Sequence, residues 1–518
     1  MITDSIDETE GAIVATAAGR VQGVRRAGVH VFRGVPNAAP PTGARRFRPP
    51  AAPAAWEGIR PASRWPRSCP QEQREDFAPL RWYRSTLPQS EDCLYLNVFT
   101  PAPDGAGRPV MVWFHGGAFC TGAATAPGFE GSALARSGDV VVVTVNHRLN
   151  VFGHFHPGPA AGEGFADSAN AGLLDLVAAL GWVRDNIAGF GGDPGCVTIF
   201  GESGGGGKVG RLMGMPQAQG LFHRAILQSS GLRSVTPAQG EAAAAHLLAQ
   251  FDLTPDRAEA LRDVPAADLL AARMRTVEAQ GHDAFEPLPD GRALPEAPFE
   301  TRAPALSAEI PMMIGTCENE ALYRLVDLPG IHDITRAAAI ARLCKGSGMA
   351  EELATQVYDL YAGKPANASP FDVYADILTD QRFRMNTLRA AALRAEAGQA
   401  PTYLYRFTWK SPVRDGQLGS IHTIEVPFVF GTMDTAEALL GTGPELETLR
   451  RIVMDAWVAF ARTGDPNHAL LPRWDPFASA THDTMLLDLA PRCVPEPPGP
   501  ELRALAGHRM PGGFRKEM

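Results

Sequence analysis

Three kinds of feature are scarce in this chain: closely spaced cysteines, long apolar runs and runs of like charge. The seven cysteines among 518 residues show no C-x-x-C or C-x-H spacing, which argues against a metal site. No apolar run is long enough to cross a bilayer, so no membrane span is expected. The net charge of −9, spread without long like-charge runs, argues against nucleic acid as a partner.

The sequence also lacks obvious targeting and linker segments. Its start is acidic and has neither the basic nor the apolar region of a secretory signal, so we expect a cytoplasmic protein. No Ser/Gly-rich or charge-rich stretch divides the chain. We therefore expect a single domain over residues 1–518, with helical excursions at about 240–300 and 330–400, and leave open whether it forms a homo-oligomer.

The most informative pattern present is G-x-S-x-G at residues 201–205. Val197 to Phe200 is an apolar, β-branched run typical of a buried strand, and a helical segment follows the glycines. A strand that turns this sharply into a helix is the nucleophile elbow. It exposes the Ser203 hydroxyl and directs the N–H of Gly204 to the place where negative charge develops in acyl transfer. The alternative is a glycine loop that packs a helix against a strand.

Apolar strands alternate with helical segments along the chain. Strands are predicted at 20–23, 29–36, 90–99, 110–114, 140–145, 197–200, 225–228, 310–314 and 403–409, and helical regions at 170–187, about 240–280, 330–400 and 444–463. This alternation predicts an α/β fold whose large central sheet is mostly parallel and carries helices on both faces. Ligands of such sheets bind beyond the carboxyl ends of the strands.

Two further segments at predicted strand ends carry candidate groups. His115–Phe119 (HGGAF) has small residues that let the backbone approach a ligand, although an ordinary glycine turn fits the same letters. A serine nucleophile also needs a histidine base and a carboxylate. Among the histidines beyond Ser230, His422 alone lies where a glycine loop precedes a compact apolar stretch. A core histidine with satisfied hydrogen bonds is the alternative there.

Taken together, these motifs resemble the type-B carboxylesterase/cholinesterase family of α/β-hydrolases, including its bacterial carboxylesterases. Phe190–Gly205 is similar to the family's serine signature, Glu91–Pro101 to its second signature and His115–Phe119 to its oxyanion loop. Gly315–Tyr323 resembles the segment that carries the acid, and the stretch around His422 the one that carries the base. The resemblance implies an α/β-hydrolase fold in which helical insertions form the wall of a substrate gorge.

The resemblance also implies roles for individual residues. The triad would be Ser203 as nucleophile, Glu320 as acid and His422 as base; the oxyanion donors would be the N–H groups of Gly117, Ala118 and Gly204; the supporting positions behind the triad would be Gly116, Glu202, Ser229 and Glu425. The implied reaction is ester hydrolysis through an acyl-enzyme, which needs neither a metal nor an organic cofactor.

Two positions depart from the family pattern. Gly204 stands where the family usually has alanine, and Ala321 stands where glycine usually follows the acid. The acid itself has a competitor, because Glu318 and Glu320 would share a face of an extended strand end. Alternation cannot choose between them, and only the register of the family segment favours Glu320.

The family resemblance extends to structural pairs: a disulfide between Cys69 and Cys93, and ion pairs joining Arg46 to Glu91 and Arg148 to Asp175. Because that disulfide belongs mostly to secreted members, a reduced pair is the alternative in a cytoplasmic protein. The loop between the two cysteines contains Trp82, Tyr83 and three arginines, Arg74, Arg81 and Arg84. The arginines favour a core or lid role for Trp82 over cation binding.

We expect the substrate to be a small, uncharged carboxylic ester. Carbamates or aryl amides are the alternative substrates for the same triad. A non-catalytic adhesion protein is a third hypothesis, which the joint presence of Ser203, Glu320 and His422 disfavours.

Overall fold

The structure is a computed structural model that describes residues 8–72, 77–364, 369–506 and 508. Within these residues, thirteen strands form one sheet: β1 (Thr9–Thr16), β2 (Gly19–Arg26), β3 (Val29–Pro36), β4 (Ile59–Pro61), β5 (Tyr95–Thr100), β6 (Arg108–Phe114), β7 (Val141–Val145), β8 (Gly192–Glu202), β9 (Arg224–Gln228), β10 (Met312–Cys317), β11 (Thr402–Phe407), β12 (Asp483–Leu487) and β13 (Arg492–Pro495).

The sheet is parallel at its centre and mainly antiparallel at its margins, where the β2–β4 pair is the parallel exception. Twelve strands follow the order β1-β2-β3-β5-β7-β6-β8-β9-β10-β11-β12-β13, and β4 pairs with β2. Between β7 and β12 in this order, each strand is parallel to the next one. The pairs β1 with β2, β2 with β3, β3 with β5, β5 with β7 and β12 with β13 are antiparallel. The mostly parallel sheet expected from the sequence is therefore present.

The α-helices are α1 (Ser132–Gly138), α2 (Asn150–Gly153), α3 (Ala171–Asn186), α4 (Gly204–Leu212), α5 (Pro237–Ala249), α6 (Ala266–Gln280), α7 (Leu322–Leu325), α8 (Arg336–Ser347), α9 (Glu351–Ala362), α10 (Pro370–Thr379), α11 (Met385–Ala397), α12 (Val426–Phe430), α13 (Glu437–Leu440), α14 (Glu445–Thr463) and α15 (Pro500–Ala506). A π-helical turn, Asp380–Arg384, joins α10 to α11. Over the described ranges, none of these helices combines the length and apolarity that crossing a membrane requires.

Alternation along the central strands creates two cores, one on each face of the sheet. In β6, Met111 and Trp113 belong to the core that contains the buried side of α14. Val112 and Phe114 of the same strand belong to the core that contains α3. Because successive strand residues point to opposite faces, these two helices cover opposite faces of the sheet. The long helices predicted at 170–187 and 444–463 correspond to α3 and α14.

The strands that sequence patterns missed, β1, β4, β12 and β13, lie at or next to the margins of the sheet. The signal of β1 is weak because it buries little apolar surface, with Val14 as its one buried residue, whereas β12 is short but mostly buried. The strand predicted at 90–99 begins later, at Tyr95. Helices α5 and α6 lie in the first expected excursion and α8 to α11 in the second. The single-domain organisation stays a prediction.

Both ion pairs implied by the family resemblance are present, one of them partly buried and the other fully buried. Arg46 Nε lies 2.7 Å from Glu91 Oε2. Arg148 donates to Asp175 through Nη2 at 2.6 Å and Nε at 2.8 Å, and its backbone N–H adds a third bond at 3.0 Å. The second pair ties the loop after β7 to α3, and it is enclosed within the protein, with side chains 2% and 0% exposed.

Removing the carboxylate of the Arg148–Asp175 pair should be strongly destabilising. Asp175→Asn leaves the Arg148 guanidinium buried without a countercharge, which typically costs about 3–5 kcal/mol of unfolding free energy. Thermal unfolding followed by circular dichroism should show a clear loss of melting temperature. The matched control is Asp185→Asn, which breaks an exposed pair with Arg184 and should leave the melting temperature nearly unchanged. Equal shifts in the two variants would contradict the argument.

Candidate active site

Ser203 occupies a strained turn between β8 and α4. Its φ of 58° and ψ of −121° lie in a region that residues with a Cβ rarely adopt. Two backbone bonds hold the turn: the Ser203 N–H donates to Gln228 O at 2.8 Å, and the Gly207 N–H donates to Ser203 O at 3.0 Å. The side chain is half-buried, so the hydroxyl is accessible at the carboxyl end of the sheet.

The glycines after Ser203 let the start of α4 lie directly against the backbone of residues 114–118. A Cβ placed on Gly204 would lie 2.1 Å from the carbonyl oxygen of Ala118, and one on Gly205 would lie 1.9 Å from that of Phe114. Neither position has room for a side chain without displacing backbone. The departure from the family alanine at Gly204 therefore has a local cause in this chain, because the 115–119 loop lies directly against the start of α4.

The 115–119 loop leaves backbone donors unused beside Ser203. Gly117 and Ala118 both have positive φ, 89° and 54°. Thr121 N–H closes the turn by donating to Gly117 O at 3.0 Å. Within the described ranges, the N–H groups of Gly117, Ala118 and Gly204 donate to no protein acceptor. The loop thus has the free donors that an oxyanion hole requires.

His422 and Glu320 contact each other through their side chains. His422 Nδ1 lies 2.6 Å from Glu320 Oε2, and the other carboxylate oxygen accepts from the Cys317 N–H at 2.8 Å. Both side chains are buried. Two aromatic rings hold the imidazole: Tyr323 stacks on it with centroids 4.9 Å apart, and Phe383 packs on it at 4.7 Å.

The structure also separates Glu320 from its competitor Glu318. Strand β10 ends at Cys317 and the chain turns at once, so the two glutamates do not share the face of an extended strand. Glu318 instead points to the surface, where its Oε2 lies 3.3 Å from Lys410 Nζ. The expectation that they share a face is wrong because it assumed an extended chain beyond the strand. The residue favoured by register, Glu320, is the one that contacts His422.

A third carboxylate, that of Glu202, approaches the opposite nitrogen of the imidazole. His422 Nε2 lies 3.1 Å from Glu202 Oε1, but the contact lacks hydrogen-bond alignment and leaves that oxygen without a hydrogen-bond partner. Glu202 Oε2 accepts from the Tyr83 hydroxyl at 2.5 Å. No hydrogen bond joins the Ser203 hydroxyl to His422 or to any other described residue. The imidazole therefore lies between two carboxylates in this state.

The pKa values of His422 and Glu202 are both raised, by nearby charges for His422 and by burial for Glu202. Burial disfavours a charge on His422, but Glu202 and Glu320 outweigh it and raise the pKa of His422 to about 10. Burial raises the pKa of Glu202 to about 8 in spite of the nearby imidazole. The two groups thus compete for a proton and titrate as a pair.

The other supporting residues lie close by but make different contacts. Glu425 accepts from Gln228 Nε2 at 3.0 Å and from Cys317 Sγ at 3.1 Å, and burial raises its pKa. The Ser229 hydroxyl is buried and has no hydrogen-bond partner in the described chain. Gly116 provides space, since a Cβ there would lie 1.8 Å from the Tyr83 hydroxyl oxygen.

Sequence reasoning did not identify three residues at this site: Tyr83 as the partner of Glu202, Phe383 on His422, and Lys208 on α4. Tyr83 contacts Glu202 and Phe383 contacts His422 across long sequence separations. No local sequence pattern therefore predicts these contacts. Phe383 sits on the π-helical turn, a feature often associated with functional sites. Lys208 did carry a signal, because a lysine among glycines and apolar residues is unusual on a buried helix.

The loop that begins at Cys69 differs in one respect from the family expectation. Cys69 and Cys93 are both buried and are free thiols in this structure, so the disulfide is not formed. They lie side by side, and a hydrogen bond with Cys69, together with burial, raises the pKa of Cys93. The oxidised pair stays a prediction.

Trp82 is buried in the core and packs edge-on against Phe129, as a core role requires, while Arg74 lies outside the described residues.

Metal ligation is not indicated by the described side chains, where no three histidine, cysteine, aspartate or glutamate residues are grouped as ligands would be.

Comparison with known proteins identifies the family of the chain. The profile of the carboxylesterase family matches residues 10–498. The chain is 37% identical to a para-nitrobenzyl esterase of Bacillus subtilis, over 92% of this chain and 94% of that protein. It is 36% identical to a phenmedipham hydrolase of Pseudarthrobacter oxydans, over 90% of this chain and 92% of that protein.

Solved structures give the same result for the fold. A carboxylesterase of Geobacillus stearothermophilus aligns with a TM-score of 0.83 and 38% identity, covering 95% of this chain and 99% of that one. The predicted α/β-hydrolase fold is confirmed, and the protein is a carboxylic ester hydrolase. The chain belongs to the carboxylesterase family.

Proposed function

We propose that this protein hydrolyses carboxylic esters with Ser203 as nucleophile, His422 as general base and Glu320 as the acid that orients His422. The observation that carries the proposal is the 2.6 Å contact between His422 Nδ1 and Glu320 Oε2, beside a serine held on a strained elbow. A carboxylate on Nδ1 fixes the tautomer in which Nε2 is free to accept a proton.

The reaction would proceed in two steps. Ser203 Oγ attacks the ester carbonyl carbon while His422 Nε2 takes the hydroxyl proton, and the carbonyl oxygen becomes an oxyanion. The N–H groups of Gly117, Ala118 and Gly204 would stabilise that charge. His422 then gives its proton to the departing alcohol, and a water molecule activated by His422 releases the acid from Ser203.

Before it can accept the Ser203 proton, His422 Nε2 must move from Glu202 towards the Ser203 hydroxyl. In the structure Nε2 is 3.1 Å from Glu202 Oε1 and makes no hydrogen bond to Ser203. Catalytic hydrogen bonds are often long or poorly aligned before substrate binds and tighten in the complex. We therefore propose that Glu202, Ser229 and Glu425 tune the base rather than take part in bond making, with Gly116 leaving room for the Tyr83 contact.

For the substrate we propose small, uncharged carboxylic esters, with carbamates and aryl amides as the alternative acyl groups. Relatives named for a para-nitrobenzyl ester and for phenmedipham make both compounds natural members of a test panel. Matched ester, carbamate and anilide substrates with the same leaving-group ring would rank the three bond types.

Cytoplasmic location and homo-oligomer formation stay predictions.

The nucleophile is tested with p-nitrophenyl esters of increasing acyl length, hydrolysed by the wild type and by Ser203→Ala. The wild type should turn over these esters and reveal the acyl length that fits best, whereas Ser203→Ala should lose about 10⁶-fold in kcat, as removal of a triad serine typically does. Mass spectrometry after an organophosphate should find one adduct, on Ser203. An adduct elsewhere, with Ser203 unmodified, would refute the assignment.

The acid is tested by comparing two neighbouring glutamates. Glu320→Gln removes the charge that orients His422 and stabilises the imidazolium, so kcat should fall by up to about 10⁴-fold while the melting temperature shows a folded protein. Glu318→Gln removes a surface carboxylate two residues away, which pairs with Lys410, and should change kcat little. A fully active Glu320→Gln enzyme would show that the acid lies elsewhere.

The role of Glu202 is tested by the pH dependence of kcat/KM. A protonated imidazole cannot accept the Ser203 proton, so activity should rise with pH through the apparent pKa of the Glu202–His422 pair. Because Glu202 raises the pKa of His422, Glu202→Gln should move this rising limb to lower pH by roughly one unit or more. Glu318→Gln serves as the control with an unmoved limb. A limb that stays in place or moves upward in Glu202→Gln would contradict the assignment.

A further inference from the structure

A buried lysine lies directly behind the oxyanion loop. Lys208 is on α4, five residues after Ser203, and its side chain is fully enclosed. Its Nζ donates to the carbonyl oxygens of His115 at 2.8 Å and Ala118 at 3.1 Å. These two carbonyls flank Gly117 and are the first and fourth of the loop, so one side chain ties both ends of the segment that carries the free donors.

The surroundings of Lys208 offer no other evident reason for its burial. Within the described ranges it pairs with no carboxylate at salt-bridge distance. The Phe119 ring lies near the ammonium, with its centroid 5.4 Å from Nζ, and also contacts Arg211, while Glu202 and Glu286 act on Lys208 at longer range. Burying an ammonium is costly, and here burial lowers the pKa of Lys208 to about 7. Even as a neutral amine, Lys208 would keep enough N–H donors for both carbonyls.

We propose that Lys208 is a positioning residue of the oxyanion hole, which holds the 115–118 backbone so that the N–H groups of Gly117 and Ala118 face the reacting carbonyl. The inference rests on the proposed function. Gly117 adopts its positive φ freely, but the φ of 54° at Ala118 is unfavourable for a residue with a Cβ, so contacts must hold the loop in this conformation. Gly204 keeps the loop close, and Lys208 sets its orientation.

A positioning role of this kind affects the transition state more than the ground state. The oxyanion forms after substrate has bound, so misplaced donors should lower kcat while KM changes little. For Lys208→Met we expect kcat to fall about 10- to 100-fold, short of the roughly 10²–10³-fold cost of losing a complete donor. Lys208→Gln, whose amide can still donate to one carbonyl, should fall between this variant and the wild type.

A second readout isolates the oxyanion from the rest of the reaction. An aryl trifluoromethyl ketone adds to the serine and carries an oxyanion, so its inhibition constant should rise in Lys208→Met by about the same factor as kcat falls. Catalytic constants are normalised to the fraction of protein that an organophosphate labels, so that misfolded protein does not enter the comparison.

The matched control is Arg394→Met. Arg394 is another buried cation that donates to two backbone carbonyls, those of Ser307 and Ile310, and it belongs to α11, away from the site. Its loss should lower the melting temperature but leave kcat and ketone inhibition at wild-type values. Equal losses of kcat in the Lys208 and Arg394 variants would overturn the inference, because the effect would then belong to any removal of a buried cation.

The outcomes separate this inference from the function on which it rests. If the wild type resists the ketone or Ser203→Ala remains active, the proposed function fails and Lys208 loses its role with it. If Ser203 is required and Lys208→Met retains wild-type kcat and ketone affinity, only the positioning role is overturned.

Discussion

The close contact between the first turn of α4 and the loop after β6 is the constraint on which the active site depends. Gly204 and Gly205 open that turn, and a Cβ on them would lie 2.1 Å from the backbone oxygen of Ala118 and 1.9 Å from that of Phe114 respectively. The contact is made by backbone, which cannot move aside as a flexible side chain can. It brings the N–H of Gly204 and the 115–119 loop to the same side of Ser203, and it exposes the serine on a strained φ that α4 and Gln228 hold in place.

The parts of the site that sequence could predict are those that follow strands. Ser203, the 115–119 loop and Glu320 all follow apolar strands, and parallel strands bring their carboxyl ends to one edge of the sheet. The same rule accounts for the fold, since buried parallel strands are continuously apolar and easy to recognise. A strand at the margin such as β1 is harder to recognise, because exposed residues interrupt its apolar sequence pattern.

The parts that could not be predicted depend on contacts between distant segments or on a local turn. Alternation failed for Glu318 and Glu320 because the chain leaves the extended conformation at the end of β10. Tyr83 reaches Glu202 from 119 positions away in the chain, and Phe383 reaches His422 from a π-helical turn, so neither contact has a local signature. The reason for Gly204 is likewise a clash with Ala118 O, which appears only when both backbones are in place.

Buried ionisable groups contact both the His422 imidazole and the 115–119 loop. Glu202 and Glu320 approach opposite nitrogens of the imidazole, and both carboxyl groups are buried. Lys208 donates to two backbone carbonyls of the 115–119 loop. In the proposed reaction, positive charge forms on His422, which faces the carboxyl groups of Glu320 and Glu202, and negative charge forms on the ester oxygen, which would face the N–H donors of the loop that Lys208 contacts. Because little water screens these groups, the separation of charge is stabilised by fixed protein groups rather than by reorganised solvent. The arrangement favours the charge-separated transition state over the neutral Ser203 and His422 that precede it.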